Sequence, residues 1–249
     1  MKATVKRIIL FALITSLLIL PGCKKEPEEK APSNYAQLHG LLGKPIAEVC
    51  QTLGLDEAQV ELALTGNAAF PSLGEAQYAG LTWEAYPLFD RNDKVLFGFK
   101  YMINYTENPD QAAPIFVDLM ASLAQDYGEP KQHNDTLQAY DREPTAKNIL
   151  AAIWERRGFS ADQMWSLNHE ITPEIQAYCD RVVENYSSSA GPTQRPIAGV
   201  DYMLTFQYGA NLDTAGFSLT YQLQARVDYT PSPREERSQA QAQYPNATP

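Results

Sequence analysis

Three histidines, three cysteines and thirty carboxylates are the side chains of this 249-residue sequence that could carry chemistry. A metal centre draws its ligands from short spacings on one helix or loop. No two of His39, His133 and His169 stand at such spacings from one another, and Glu170 beside His169 is expected to diverge from it on a helix. The sequence lacks a Gly-x-Ser-x-Gly elbow, a Ser-x-x-Lys pair and a phosphate-cradling Gly-x-x-x-x-Gly-Lys. Asp90-Arg91-Asn92-Asp93 offers calcium-type oxygens without the glycine and distant glutamate of an EF-hand, so a hairpin turn is the expectation. A glycosidase needs only two carboxylates at a suitable separation. Glu84 and Glu155 are candidates, and nothing in the sequence sets them apart from Glu61 or Asp118. No catalytic residue, metal site or cofactor is therefore expected. Cys50 and Cys179 are either a disulfide pair or two small buried hydrophobes. Tyr78, Tyr86, Tyr202 and Tyr208 fall on or near expected strands, as recognition residues or as packing.

The remaining cysteine has a different setting. Lys2, Lys6 and Arg7 precede an apolar run from Ile8 to Leu20, too short for a membrane span of about 20 residues. The run ends in Leu20-Pro21-Gly22-Cys23. This start resembles the signal peptide and lipobox of a bacterial lipoprotein precursor, with proline where the family usually has a small or hydroxyl residue. The resemblance implies cleavage before Cys23, a diacylglyceryl group on its sulfur and attachment to the cell membrane or outer membrane. More than one acyl chain makes such attachment stable. By the same resemblance, Lys24 rather than Asp after the cysteine favours an outer membrane where the source has one. The alternative is an ordinary secretory leader, under which the Asn-x-Ser/Thr patterns at Asn104, Asn134, Asn185 and Asn246 would mark glycosylation.

The elements that would position these groups follow from periodicity. Residues 1–22 are read as the leader and 23–36, charged and proline-bearing, as a disordered tether. Residues 37–230 form the globular domain, and 231–249, rich in Pro, Gln and Ala, a disordered tail. Ile46, Val49, Cys50 and Leu53 recur at helical spacing between Pro45 and Gly54. Phe116 to Tyr127 carries a second stripe closed by Gly128, and Thr145–Arg157 a third. Thr172 and Pro173 open a helix through Ile175, Tyr178, Cys179, Val182 and Tyr186, with Ser187–Ser189 read as a linker. Ser160-Ala161-Asp162-Gln163 has the form of a capping box for a short helix over Met164 and Leu167.

Alternation marks the strands. Leu81–Phe89 and Val95–Tyr105 pair across the Asp90–Asp93 turn, with Val95, Phe97, Phe99 and Tyr101 on one face. Val200–Tyr208 pairs with Phe217–Tyr229, whose odd positions are apolar and even positions polar. One buried and one wet face is the mark of an antiparallel sheet covered on a single side. The expected class is α+β: an antiparallel sheet from two hairpins with helices packed on one face. The element order, with Leu42-Gly43-Lys44-Pro45 before a helix and Tyr127-Gly128-Glu129-Pro130 after one, is similar to exported α-β-β modules of the β-lactamase-inhibitor-protein type and outer-membrane assembly lipoproteins.

Charge narrows the partners. The chain carries −10, and losing 22 leader residues, three basic and none acidic, leaves 227 residues at −13. Nucleic acid is excluded as a partner for want of clustered Lys and Arg, and anionic headgroups would repel the domain. The expected function is a non-catalytic, lipid-anchored envelope binding module. Its partners are the membrane, through the lipid, and another envelope protein. The alternative is a lipid-anchored hydrolase of envelope glycan or peptide using a carboxylate pair.

Overall fold

The computed structural model describes residues 30–105, 109–138, 141–189 and 195–230. The leader, Cys23 and the tail 231–249 lie outside the described residues. A Ser33 N–H to Gln77 carbonyl bond (3.0 Å) and its return, Gln77 N–H to Ser33 Oγ (3.0 Å), tie the chain down. The connecting segment expected through residue 36 therefore ends sooner. A short helix α1 (Tyr35–His39) follows at once, then α2 (Ile46–Leu53) and α3 (Glu57–Leu64). Helix α2 starts after Pro45 and stops at left-handed Gly54, as the spacing predicts. Asp56 caps α3 by accepting the Ala58 N–H at 3.0 Å.

A single seven-stranded antiparallel sheet contains both expected hairpins and adds three further strands. Strands β1 (Glu75–Tyr78), β2 (Leu81–Phe89) and β3 (Leu96–Asn104) form one meander. Helix α4 (Pro109–Tyr127), β4 (Gln132–Asp135), α5 (Ala146–Trp154), β5 (Phe159–Ser166), α6 (Pro173–Ser189), β6 (Arg195–Ala210) and β7 (Ala215–Thr230) complete the chain. The order across the sheet is β1-β2-β3-β7-β6-β5-β4, so β3 and β7 form the seam between the halves. Both edge strands have four residues, a length that limits edge-to-edge pairing.

Three local expectations change. The Ser160–Gln163 stretch is strand β5, not a capped helix: Phe159, Ala161, Gln163 and Trp165 turn inward and eight residues pair with β6. Long-range pairing overrides a local cap signal there. Along β3 the register shifts at Leu88/Phe89, so Leu96 is fully buried and Phe97 only half-buried. Helix α6 runs through Ser187–Ser189 instead of ending at a linker.

The core lies between one sheet face and the helices. Trp83, Phe99, Tyr101, Tyr202, Leu204, Phe206, Phe217, Leu219 and Tyr221 are buried from the sheet, against Phe116, Leu119 and Leu123 of α4 and Ile149 and Ile153 of α5. Phe116 stacks on Tyr208, centroids 4.7 Å apart, and Phe206 and Phe217 continue the aromatic layer.

Candidate functional site

Beneath α1 a polar cluster is set into the aromatic core. The Tyr35 hydroxyl donates to Glu170 and lies 3.2 Å from the Tyr202 hydroxyl. The Tyr101 hydroxyl donates to Asn34 Oδ1 (2.7 Å), and the Tyr127 and Tyr221 hydroxyls meet at 2.9 Å. Burial pushes Tyr35, Tyr101, Tyr202 and Tyr221 well above the usual tyrosine range, and Tyr127 up to about 12. His39 Nε2 is buried without a hydrogen-bond partner, 3.7 Å from Glu170 Oε2, while exposed His169 lies 3.6 Å from Oε1. Two histidines thus meet at one carboxylate: His169 approaches its neighbour Glu170 despite the expected divergence, and His39 reaches it from a distant part of the sequence. Among the described residues no group of three His, Cys, Asp or Glu is arranged to hold a metal. The cluster fastens the segment around Tyr35 to the sheet.

The third histidine is also engaged. His133 Nε2 meets Asp135 Oδ2 at 2.9 Å, and Nδ1 faces the Gln163 amide nitrogen at 2.8 Å. Asp135 Oδ1 accepts from the Leu137 and Gln138 amides at 2.8 and 2.9 Å. Both ring nitrogens of His133 are thus engaged by neighbouring side chains. The two-residue spacing puts His133 and Asp135 on one face of β4, a pairing visible only once the segment is known to be a strand.

The other candidates separate. Asp90 Oδ1 accepts from the Asn92 and Asp93 amides (2.7 and 2.8 Å), an Asx-type hairpin turn. Cys50 and Cys179 are free, buried thiols, so the pair considered for a bridge is not joined. Burial raises the Cys50 thiol pKa and pushes Cys179 up to about 12, so neither is poised to react. Glu155 lies between Arg142 (3.6 Å) and Arg157 (3.5 Å), and Glu61 binds Lys94 at 2.6 Å. Tyr78, Tyr202 and Tyr208 are core residues, whereas Tyr86 remains on the face away from the helices.

That second face is the candidate site. No described helix is packed there, and its side chains are mostly polar: Lys100, Met102, Thr205, Gln207, Asp162 and Thr220 are exposed or half-buried. Register places Glu75, Glu84, Met102, Ser218, Gln207, Asp162 and Asn134 in one row crossing all seven strands. Beside it runs Asn104, Gly216, Gly209 and Ser160, whose two middle members have no side chain. The result is a groove of about 360 Å³ over Gly209 and Gly216, walled by Met102, Gln207 and Asp162. A second of about 410 Å³ holds Glu75, Glu84 and Tyr86, and a third of about 480 Å³ holds Arg156 and Arg157. Glu84 was a sequence candidate; its opposite number Glu75 and the two glycines were not, because cross-strand neighbours have no fixed sequence separation.

No described helix is long and apolar enough to cross a membrane. Compared with family models, with curated proteins and with solved structures, the chain matches none.

Proposed function

We propose that the chain is a bacterial envelope lipoprotein, anchored through Cys23, whose domain binds another envelope component without catalysing a reaction. The observation that supports binding is the grooved polar sheet face that the described helices leave uncovered, opposite a fully packed core face. The anchor rests on the basic start, the apolar run and the lipobox-like Leu20-Pro21-Gly22-Cys23. Two measurements test the reading. The N-terminal peptide from native cells should begin at Cys23 and carry the mass of acyl chains; an intact leader or an unmodified Cys23 refutes the anchor. Crosslinking in intact cells, from a photoreactive residue placed at Thr220, should capture a discrete partner; capture of none refutes the binding face.

A lipid-anchored hydrolase is the second reading, because Glu75 and Glu84 stand opposite one another in a groove. Its measure is product formation from purified envelope glycan and peptide, followed by mass. Turnover abolished by Glu84→Gln would establish it, and an unchanged substrate would dismiss it.

A further inference from the structure

Among the described residues, nothing crowds Gly209. It sits within β6, its φ is not positive, and a Cβ built there meets no atom within 4 Å. Its sheet neighbour Gly216 differs: a Cβ there would stand 3.1 Å from the Ile103 carbonyl oxygen, so packing against β3 accounts for it. Glycine inside a strand weakens the strand, and where nothing internal requires it, it marks a place where something else approaches closely. With both positions bare, the floor of the central groove is main chain, whose N–H and C=O groups are already used in the sheet.

The three grooves are continuous. Met102 and Asn104 line both the central groove and the Glu75/Glu84 groove, and Ser160 and Gly209 line both the central groove and the Arg156/Arg157 groove. The path crosses from β1 to β5, five strand spacings or roughly 24 Å, the length of about seven residues of extended chain. Its ends have opposite charge. Glu75 and Glu84 are directly opposed like charges, an unfavourable pairing, and neither has a cationic partner among the described residues. At the other end Arg156 follows α5 with φ 60°, a left-handed position that glycine holds without strain, and it too has no ion-pair partner among the described residues. A strained residue that a glycine would relieve points to a use for its side chain.

Resting on the reading of this face as a binding surface, we propose that the groove receives an extended polypeptide segment laid across the strands. A basic side chain of that segment meets Glu75 and Glu84, its main chain crosses Gly209 and Gly216, and a carboxylate meets Arg156. The exposed Gln207 and Asn104 supply amides that can bond a peptide backbone along the way. A neutral glycan would use the same amides and leave the opposite charges at the two ends without purpose.

The test is fluorescence polarisation on the full chain with labelled octapeptides of Ser, Thr and Val. One carries Lys at its start and Glu at its end, one has the reverse order, and one has Gln at both; a chitin hexamer serves as competitor. One of the two charged orders should bind at least tenfold tighter than the Gln peptide, and added salt should weaken it. Gly209→Val should reduce binding at least tenfold while melting no lower than the parent. Glu84→Gln and Arg156→Gly should each remove the preference for one peptide end. Equal binding of all three peptides, undiminished binding by Gly209→Val, or displacement by the chitin hexamer overturns the proposal. Crosslinking from Thr220 separates the two levels of failure. A partner captured equally by Gly209→Val removes only the peptide groove, and no partner at all removes the binding face as well.

Discussion

Gly98→Ala and Gly209→Ala add the same methyl group to the same sheet and should move stability in opposite directions. At Gly98 in β3 the new Cβ would stand 2.5 Å from the Tyr221 carbonyl oxygen and 2.9 Å from Gln222 Cβ, where 3.4 Å begins ordinary contact. Both obstacles belong to β7, and Gly98 pairs directly with Gln222, so relief requires opening the β3–β7 seam by close to an ångström. Such overpacking costs about 3 kcal/mol at the upper end of its usual range. The lost freedom of the unfolded chain returns about 0.5–1 kcal/mol. The net is about 2 kcal/mol of destabilisation, and with roughly 2–4 °C per kcal/mol at this size, a melting temperature some 4–8 °C lower. At Gly209 only the second contribution applies, because nothing lies within 4 Å, so Gly209→Ala should melt about 1–4 °C higher. Calorimetry checked by urea unfolding measures both. If Gly98→Ala stays within about 0.5 kcal/mol of the parent, or Gly209→Ala is the more damaging, the steric account of the seam is wrong.

The cluster under α1 gives a second expectation. Tyr35→Phe removes the hydroxyl that donates to half-buried Glu170 and should cost about 1.5–2 kcal/mol, with faster proteolysis near residue 35; unchanged protection would show that the hydrogen bond is not what holds the segment. Alkaline pH tests the tyrosines. Folded-state values are raised above the unfolded value near 10, so the unfolded chain releases protons first. Stability is therefore complete below about pH 10 and declines as pH rises through the folded values, about 12 for Tyr127 and higher for Tyr101, Tyr202 and Tyr221. Absorbance near 295 nm should show these four ionising together with unfolding, and gradual titration of all fourteen tyrosines in the folded protein would contradict their burial. Alkylation of the denatured chain without reductant should label both Cys50 and Cys179; labelling only after reduction would mean that they are bridged.

Much of the helix pattern is local and could be read directly. Pro45 and Gly54 bracket α2, Gly128 follows α4, and the Thr172 hydroxyl accepts the Ile175 N–H at 3.3 Å as its N-cap position implies. The two long hairpins were legible from their alternation, which is sustained along β7 and interrupted in β3 at Phe97. Strands β1, β4 and β5 were not: two have only four residues, and β5 turns Gln163 inward, where it meets His133. For the site, Glu84 and the polar face of β7 could be read in advance. Glu75, Gly209, Gly216 and Arg156 could not, since their meaning comes from register across the sheet and from a backbone angle.

Register also explains how one strand serves both halves of the molecule. On β7, Phe217, Leu219, Tyr221 and Leu223 enter the core while Gly216, Ser218, Thr220 and Gln222 line the open face, so a slip of one residue would exchange the two sets. Two features on different edges of β7 oppose that slip. Toward β6, Asn211 Oδ1 accepts from the Asp213 and Thr214 amides at 2.9 and 2.8 Å, while the Asn211 N–H meets the Thr214 carbonyl at 2.7 Å, fixing the turn and hence all sixteen pairs of the hairpin. Toward β3, Gly98 and Gly216 permit a backbone approach that a side chain at either position would obstruct. The groove's shape is thus set by contacts outside it. Filling the groove at Gly209 changes what the face can receive, whereas filling the seam at Gly98 disturbs the face and the core together.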